Sequence, residues 1–380
     1  MIHNDFKGMK LSALGFGAMR LPVISEEDRT IDENAVFDMV DYAMANGINY
    51  YDTAYGYHGG QSEIVMGRAL GRYQRDSYYL ATKFPGYSLQ NFPRVKEIFP
   101  EQLEKTGKDH FDFYLFHNVN EMNIDEYLDP AYGIRDYLVE QKEKGLIRHL
   151  GFSCHGEYDV LKRFLDAYKD DVEFCQLQIN YLDWKFQNAK AKVELLKEYG
   201  IPVWVMEPLR GGKLASLAEP FEARLKALRP DEDIPAWGFR FTQSIPEVKV
   251  TLSGMSNMEQ LKANIATYET SKPLTEAEWQ AIDEITTEMM TAKSVPCTSC
   301  RYCVSQCPME LNIPRLIRLY NEHLLTTSGG GFGFIAPMAL SKLPEDKQPG
   351  ACLHCRSCEE VCPQQIKVSE VMEDFVRILK

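Results

Sequence analysis

Leu14-Gly15-Phe16-Gly17-Ala18-Met19-Arg20-Leu21-Pro22 decides between two folds. A doubly wound open sheet usually carries Gly-x-Gly-x-x-Gly after its first strand, running straight into a helix. Here the third glycine is missing, and the chain runs into Leu21-Pro22 instead of a helix. Working outward, eight short apolar segments read as strands: Leu14–Met19, Ile48–Thr53, Tyr78–Phe84, Phe111–His117, Ile147–Ser153, Phe174–Asn180, Pro202–Glu207 and Val248–Ser253. They are apolar nearly throughout, as parallel strands buried on both faces must be. Amphipathic helices alternate with them, at Ile31–Ala45, Glu157–Tyr168, Asn188–Tyr199 and Met258–Tyr268, with a last one at Glu276–Met289. Thr30/Glu33, Ser256/Glu259 and Thr275/Glu278 have the spacing of capping boxes. Eight β-α units are the number that closes a (β/α)8 barrel. The expected fold is therefore α/β, a (β/α)8 TIM barrel over residues 1–290, followed by a second module over residues 291–380.

That second module is set apart by cysteine. The chain has ten cysteines, eight of them beyond residue 296. Cys297, Cys300, Cys303 and Cys307 are spaced C-x2-C-x2-C-x3-C before Pro308; Cys352, Cys355, Cys358 and Cys362 repeat the spacing before Pro363. This is the bacterial ferredoxin run, in which three thiolates hold one cubane and the fourth serves the other. The pattern assigns Cys297, Cys300, Cys303 and Cys362 to one [4Fe-4S] cluster, and Cys352, Cys355, Cys358 and Cys307 to a second. One zinc ion would need only four ligands, and a chain with no secretory signal gives disulfides little occasion. The long spacer holds a helical stretch, Pro314–Leu325, and a flexible Ser328-Gly329-Gly330-Gly331 segment, so the module resembles the mainly helical two-cluster ferredoxin domains. No internal repeat longer than the two cysteine runs is visible. Cys154 and Cys175 read as ordinary buried thiols.

Net charge is −13, from 42 basic against 55 acidic residues. Residues 291–380 carry 10 basic and 9 acidic side chains, so the acidic excess lies in the barrel. An acidic body argues against nucleic acid and anionic membranes as partners. No apolar run approaches the ~20 residues of a membrane-spanning helix. The polar N-terminus lacks a signal peptide, so a cytoplasmic address is expected.

Catalytic groups of such barrels stand at the C-terminal strand ends. Those ends read Asp52-Thr53-Ala54-Tyr55-Gly56-Tyr57, Ala81-Thr82-Lys83-Phe84-Pro85 and Asp112-Phe113-Tyr114-Leu115-Phe116-His117. Taken singly, each has a commonplace reading: a capping Asp, a packing Tyr, a rim Lys, a core His. Together, with the Lys7–Gly17 hairpin and first strand, they resemble the aldo/keto reductase superfamily over residues 1–290, and the whole chain resembles its subfamily with a C-terminal two-[4Fe-4S] ferredoxin-type domain. The resemblance implies a tetrad of Asp52, Tyr57, Lys83 and His117, with Tyr57 the proton donor. A lysine cation near a phenol lowers its pKa, and Lys83 is expected to do so for Tyr57.

The resemblance also implies a nicotinamide site. Gly17, Met19, Ser153, Gln178 and Met206 would line it. Pro208, Leu209 and Gly211 would cover the pyrophosphate, and Gly254, Ser256, Gln260 and Asn264 would meet the far end. Cys154 stands where the family usually has Asn, with His155 beside it, and Gln260 stands where NADP-selective members often have Arg, so both NADP(H) and NAD(H) remain open. Phe84, Phe116, Asn118 and Trp184 are expected substrate walls. The implied activity is NAD(P)H-dependent reduction of an aldehyde or ketone, or its reverse, on a small carbonyl or alcohol. The alternative is an electron-transfer oxidoreductase, whose clusters pass electrons between a redox partner protein and the barrel. A flavin would reconcile one-electron clusters with two-electron hydride, and no flavin motif is present.

Overall fold

The computed structural model describes residues 1–380 apart from 26–29, 298–299, 328–332, 334 and 380, and only the main chain of 291–293. The expected Ser328–Gly331 segment lies outside the described residues. The chain forms two compact units, Met1–Trp279 and Gln280–Lys380, with the helix Glu276–Lys293 running across the boundary.

In the first unit a hairpin, β1 (His3–Phe6) with β2 (Met9–Ser12), precedes eight parallel strands: β3 (Leu14–Gly17), β4 (Tyr50–Asp52), β5 (Tyr79–Phe84), β6 (Phe111–Val119), β7 (Ile147–Cys154), β8 (Cys175–Gln178), β9 (Val203–Met206) and β10 (Val248–Ser253). They close in chain order, β10 pairing with β3 through Thr251–Leu14, Leu252–Gly15 and Ser253–Phe16. The hairpin drives Phe6 into the barrel, where its ring centroid lies 5.0 Å from Trp204, 5.9 Å from Phe113 and 6.4 Å from Phe174. Interior residues alternate with residues facing the helices, as the two-residue period of a strand requires.

That alternation corrects two expected substrate walls. Lys83 and His117 point inward, so their neighbours Phe84 and Phe116 point outward and are fully buried. Phe84 packs on Phe92 and Tyr127, and Phe116 on Tyr127, Phe164 and Tyr168. Two capping boxes also shift. The first helix (Glu33–Ala45) is capped by Asp32, which accepts from Ala35 N. The helix Met258–Thr267 is capped by Asn257, while Gln260 Oε1 accepts from Ser256 N at 2.8 Å. The third box forms as expected, with Thr275 N donating to Glu278 Oε2 at 2.7 Å.

The second unit shows a repeat that the sequence reading missed. At a constant offset of 55 residues, Cys297–Cys307 maps onto Cys352–Cys362, and the helix Ile313–Thr327 onto Val368–Ile378. The backbone repeats as well. Arg301 and Arg356 have φ of 67° and 64°, and Glu310 and Gln365 have φ of 52° and 53°. Leu311, Ile313, Ile317 and Tyr320 correspond to Ile366, Val368, Met372 and Phe375, and all eight belong to one buried core. Identity is lost at most of these positions and only apolar class is kept. Tyr320 also donates to Asp374 Oδ2 at 2.6 Å.

Candidate active site and cluster sites

Asp52 ends β4 and Lys83 comes from the adjacent β5, so the barrel's parallel pairing brings them together. Lys83 Nζ donates to Asp52 Oδ1 and to the Thr53 carbonyl, both at 2.7 Å, and the two side chains are 0 % and 3 % exposed. Burial pushes the carboxyl up and the ammonium down, while the contact between them opposes both shifts. Behind Lys83 lies a second buried carboxylate that the sequence did not signal. Glu63 accepts from Thr82 Oγ1 at 2.6 Å and Gln102 Nε2 at 2.7 Å, and pairs with Lys105 at 2.8 Å.

Tyr57 is half-buried in a short turn after Gly56, with Lys83 Nζ 5.2 Å from its ring centroid and the His117 ring 6.2 Å away, edge on. The four residues named from the strand ends therefore meet at one end of the barrel. The expected electrostatics do not hold. Burial, and then the charges of Asp52 and Glu207, push the Tyr57 phenol well above its usual value. The Lys83 charge does not outweigh them, since the Asp52 carboxylate lies against it at 2.7 Å. His117 is held well below the usual histidine range by burial and by the Lys83 charge, so it is neutral at pH 7. Its buried Nδ1 has no hydrogen-bond partner among the described residues. Tyr87, also unsignalled, stands edge on to His117 at 5.5 Å and is a wall of this site.

The expected dinucleotide residues divide. Gly17 ends β3 and Met19 is exposed just beyond it. Ser153 Oγ accepts from Asn118 N at 2.7 Å. Gln178 donates to Asp183 Oδ2 at 2.8 Å, and its side chain also bonds His155, which burial depresses to about 4. Met206 accepts a weak bond from Gln176 Nε2 at 3.7 Å. Pro208, Leu209 and Gly211 lie in the loop after β9; Leu209 packs against Gly238. The loop is fastened by Arg210, whose Nε lies 3.1 Å from Asp183 Oδ1, both groups buried. Gly254, Ser256 and Gln260 follow β10. Asn264 is turned inward, donating to Ser253 Oγ at 3.1 Å. Asn118, with φ 61°, is held by Asn120 and Asn123, and Trp184 packs with Phe241 and Trp279. Open glycine-bearing loops after the last two strands are where such barrels bind phosphate, so these residues fit a dinucleotide.

In the second unit, Cys297, Cys300, Cys303 and Cys362 line one small hollow, walled by Ile313, Pro314, Ile317 and Ile366. Cys307, Cys352, Cys355 and Cys358 line another, walled by Leu311, Val368 and Met372. Each fourth cysteine is thus brought to the other run's trio. Two quartets of thiolates, each set among apolar side chains, fit the ligand sets of two iron-sulfur clusters. Cys300 and Cys355 reach the surface.

A closed eightfold barrel carrying these polar groups at one rim, joined to a cysteine-lined module, defines a redox enzyme. The sequence model of the aldo/keto reductase family matches residues 13–287, and that of a 4Fe-4S dicluster domain matches residues 296–366. The chain belongs to the aldo/keto reductase family and carries a C-terminal 4Fe-4S dicluster domain; it is an oxidoreductase. It is 26% identical over 309 residues to the uncharacterized oxidoreductase YqkF of Bacillus subtilis, covering 73% of this chain and 94% of that protein. It is 26% identical over 283 residues to the L-galactose dehydrogenase of Arabidopsis thaliana, covering 68% and 85%. Among solved structures, the holo form of an aldo-keto reductase from Bacillus halodurans superposes with a TM-score of 0.59 at 27% identity, covering 73% of this chain and 93% of that one. Among the described residues no helix is long and apolar enough to cross a membrane.

Proposed function

We propose that the barrel, taken as residues 1–290, reduces the carbonyl of a small aldehyde or ketone, or runs the reverse reaction, with Asp52, Tyr57, Lys83 and His117 as its reacting and orienting groups. The observation that carries this reading is the sealed Lys83–Asp52 pair facing the Tyr57 ring, with a neutral His117 edge on to the same ring. A bound NADPH or NADH supplies hydride to the carbonyl carbon. Tyr57 supplies the proton to the oxygen. Its raised pKa keeps the phenol protonated at neutral pH, and the oxygen becomes a far stronger base than phenolate as hydride arrives, so the transfer runs downhill. Neutral His117 gives a hydrogen bond to that oxygen and orients it without taking the proton. Asp52 fixes Lys83, whose fixed charge stabilises the negative charge developing nearby, in a site where burial strengthens such effects. The test is Tyr57→Phe, expected to lower kcat by about 100- to 10,000-fold while leaving NAD(P)H binding intact. Unchanged turnover would overturn the reading.

A second reading concerns the module, taken as residues 291–380, with two [4Fe-4S] clusters held by the quartets above. Cys300 and Cys355 are exposed, flanked by Tyr302 at 63% and Leu353 at 62% exposure. Clusters at such a surface suit electron exchange with a redox partner protein. Anaerobically reduced protein mixed with NADP+ or NAD+ is the test: reduced nicotinamide appearing as the clusters reoxidise supports wiring to the barrel, and clusters that stay reduced exclude it.

A further inference from the structure

One positive charge at the cofactor end of the barrel comes from a residue given no role so far. Arg20 closes the short turn after β3, and its side chain is exposed. Its stem lies over Gly254, where a Cβ would stand 3.2 Å from Arg20 Cγ; its head lies over Gly211, where a Cβ would stand 3.1 Å from Arg20 Nη2. One side chain therefore spans the loops that follow β9 and β10, the two loops on which barrels of this kind bind phosphate. A Cβ at either glycine would press on it.

The other cations nearby are committed. Arg210, in the same loop, is buried against Asp183. Lys262, on the helix after β10, sits 5.4 Å from the centroid of the Tyr42 ring. Among the described residues Arg20 makes no hydrogen bond and no ion pair within 4.0 Å, but its charge reaches the buried Glu207 carboxyl and draws its pKa down against the effect of burial. The nearest acid is Glu207, whose Oε2 lies 3.6 Å from the same Gly211 Cβ position. A guanidinium offers a planar fork of donors that matches two phosphate oxygens at once.

We propose that Arg20 binds the diphosphate of the nicotinamide dinucleotide, bridging the Gly211 and Gly254 loops across it, with Glu207 as its counter-charge in the free enzyme. This rests on the nicotinamide reading above. A diphosphate is common to NADH and NADPH, so Arg20 serves affinity for both and selects neither.

The test is direct binding by the purified holoprotein, followed through the fluorescence of the reduced nicotinamide. Wild type, Arg20→Gln and Arg20→Lys are each titrated with NADH, NADPH and reduced nicotinamide mononucleotide, which has no diphosphate. Arg20→Gln is expected to weaken NADH and NADPH by the same factor, about 10- to 100-fold, and to leave the mononucleotide unchanged. Arg20→Lys keeps the charge, loses the fork, and falls between. Equal NADH affinity in wild type and Arg20→Gln overturns the inference and leaves the nicotinamide reading standing. Loss confined to NADPH overturns it too, moving Arg20 to the 2′-phosphate. Wild type that binds neither dinucleotide overturns both. Circular dichroism checks that this surface substitution leaves the fold intact.

Discussion

Replacing Lys83 by Met removes the cation from a pair that water does not reach. The change nearly conserves volume, so the effect is electrostatic. Asp52, 3 % exposed, loses the 2.7 Å contact with Nζ. Breaking a buried pair by deleting one partner costs about 3–5 kcal/mol. The carboxylate has one escape, which is to bind a proton. Its folded pKa, already raised by burial, rises further without Lys83, and each unit is worth about 1.4 kcal/mol. The folded variant then holds a proton that the unfolded chain has lost. Stability is therefore fully present below the unfolded carboxyl pKa of about 3.9 and declines as pH rises towards the folded value, by up to about 1.4 kcal/mol per pH unit. The double variant Asp52→Asn/Lys83→Met buries no charge and should recover most of the loss. Urea unfolding followed by tryptophan fluorescence reads this cleanly, since all four tryptophans, Trp184, Trp204, Trp237 and Trp279, lie in the barrel unit. Lys83→Met within about 1 kcal/mol of wild type at pH 8, or a double variant no more stable than Lys83→Met alone, would refute the coupling; about 1 kcal/mol is the most that an exposed pair supplies.

Other expectations follow from the same geometry. Because Tyr57 is pushed above its usual range, kcat/KM for carbonyl reduction should stay flat through neutral pH and fall only above about pH 10; a titration near pH 7 that Tyr57→Phe removes would contradict this. Cys362→Ser should empty the cavity of Cys297, Cys300 and Cys303, and Cys307→Ser the other; iron analysis should find about half the iron in each, and loss of the same cluster in both would break the crossed assignment. Arg210→Met leaves Asp183 buried and unpaired, costing about 3–5 kcal/mol, and should expose the loop after β9 to limited proteolysis, with an unchanged cleavage pattern counting against a fastening role. Gly67→Ala would set a Cβ 2.3 Å from the Thr106 carbonyl oxygen; backbone cannot yield as a side chain does, so a melting temperature equal to wild type would disprove the close helix contact.

Much of this was legible because buried parallel strands leave a strong trace. All eight were placed from their apolar runs, and the strand ends, read with the family resemblance, then named Asp52, Lys83 and His117. Phase was harder to read. Box spacing fits several neighbouring polar residues, so Thr30 and Ser256 were favoured over Asp32 and Asn257, which the backbone selects. Phe84 and Phe116 were assigned to the wrong face because a strand buried on both sides has no polar face to mark direction. Tyr87, Glu63, Arg20 and the Asp183–Arg210 pair were not legible, since their partners are brought together only by barrel closure or loop packing. The Tyr57 pKa was misjudged for a related reason: proximity to Lys83 was foreseen, and the burial of the phenol together with the Asp52 and Glu207 charges that outweigh it was not. In the module, the cysteine spacing was plain, but the repeat around it survives only as apolar class and as matched left-handed residues.

That repeat bears on ancestry and on assembly. Its two halves have the same layout, as descent from one duplicated unit would leave them. Yet Cys362 lines the first hollow and Cys307 the second, so neither half now completes a site by itself. A single ancestral unit would have had to meet a second copy of itself to enclose either hollow. Fusion of two such units would turn that encounter between molecules into a fixed property of one chain, whose halves are then free to diverge in sequence but not to be inherited apart.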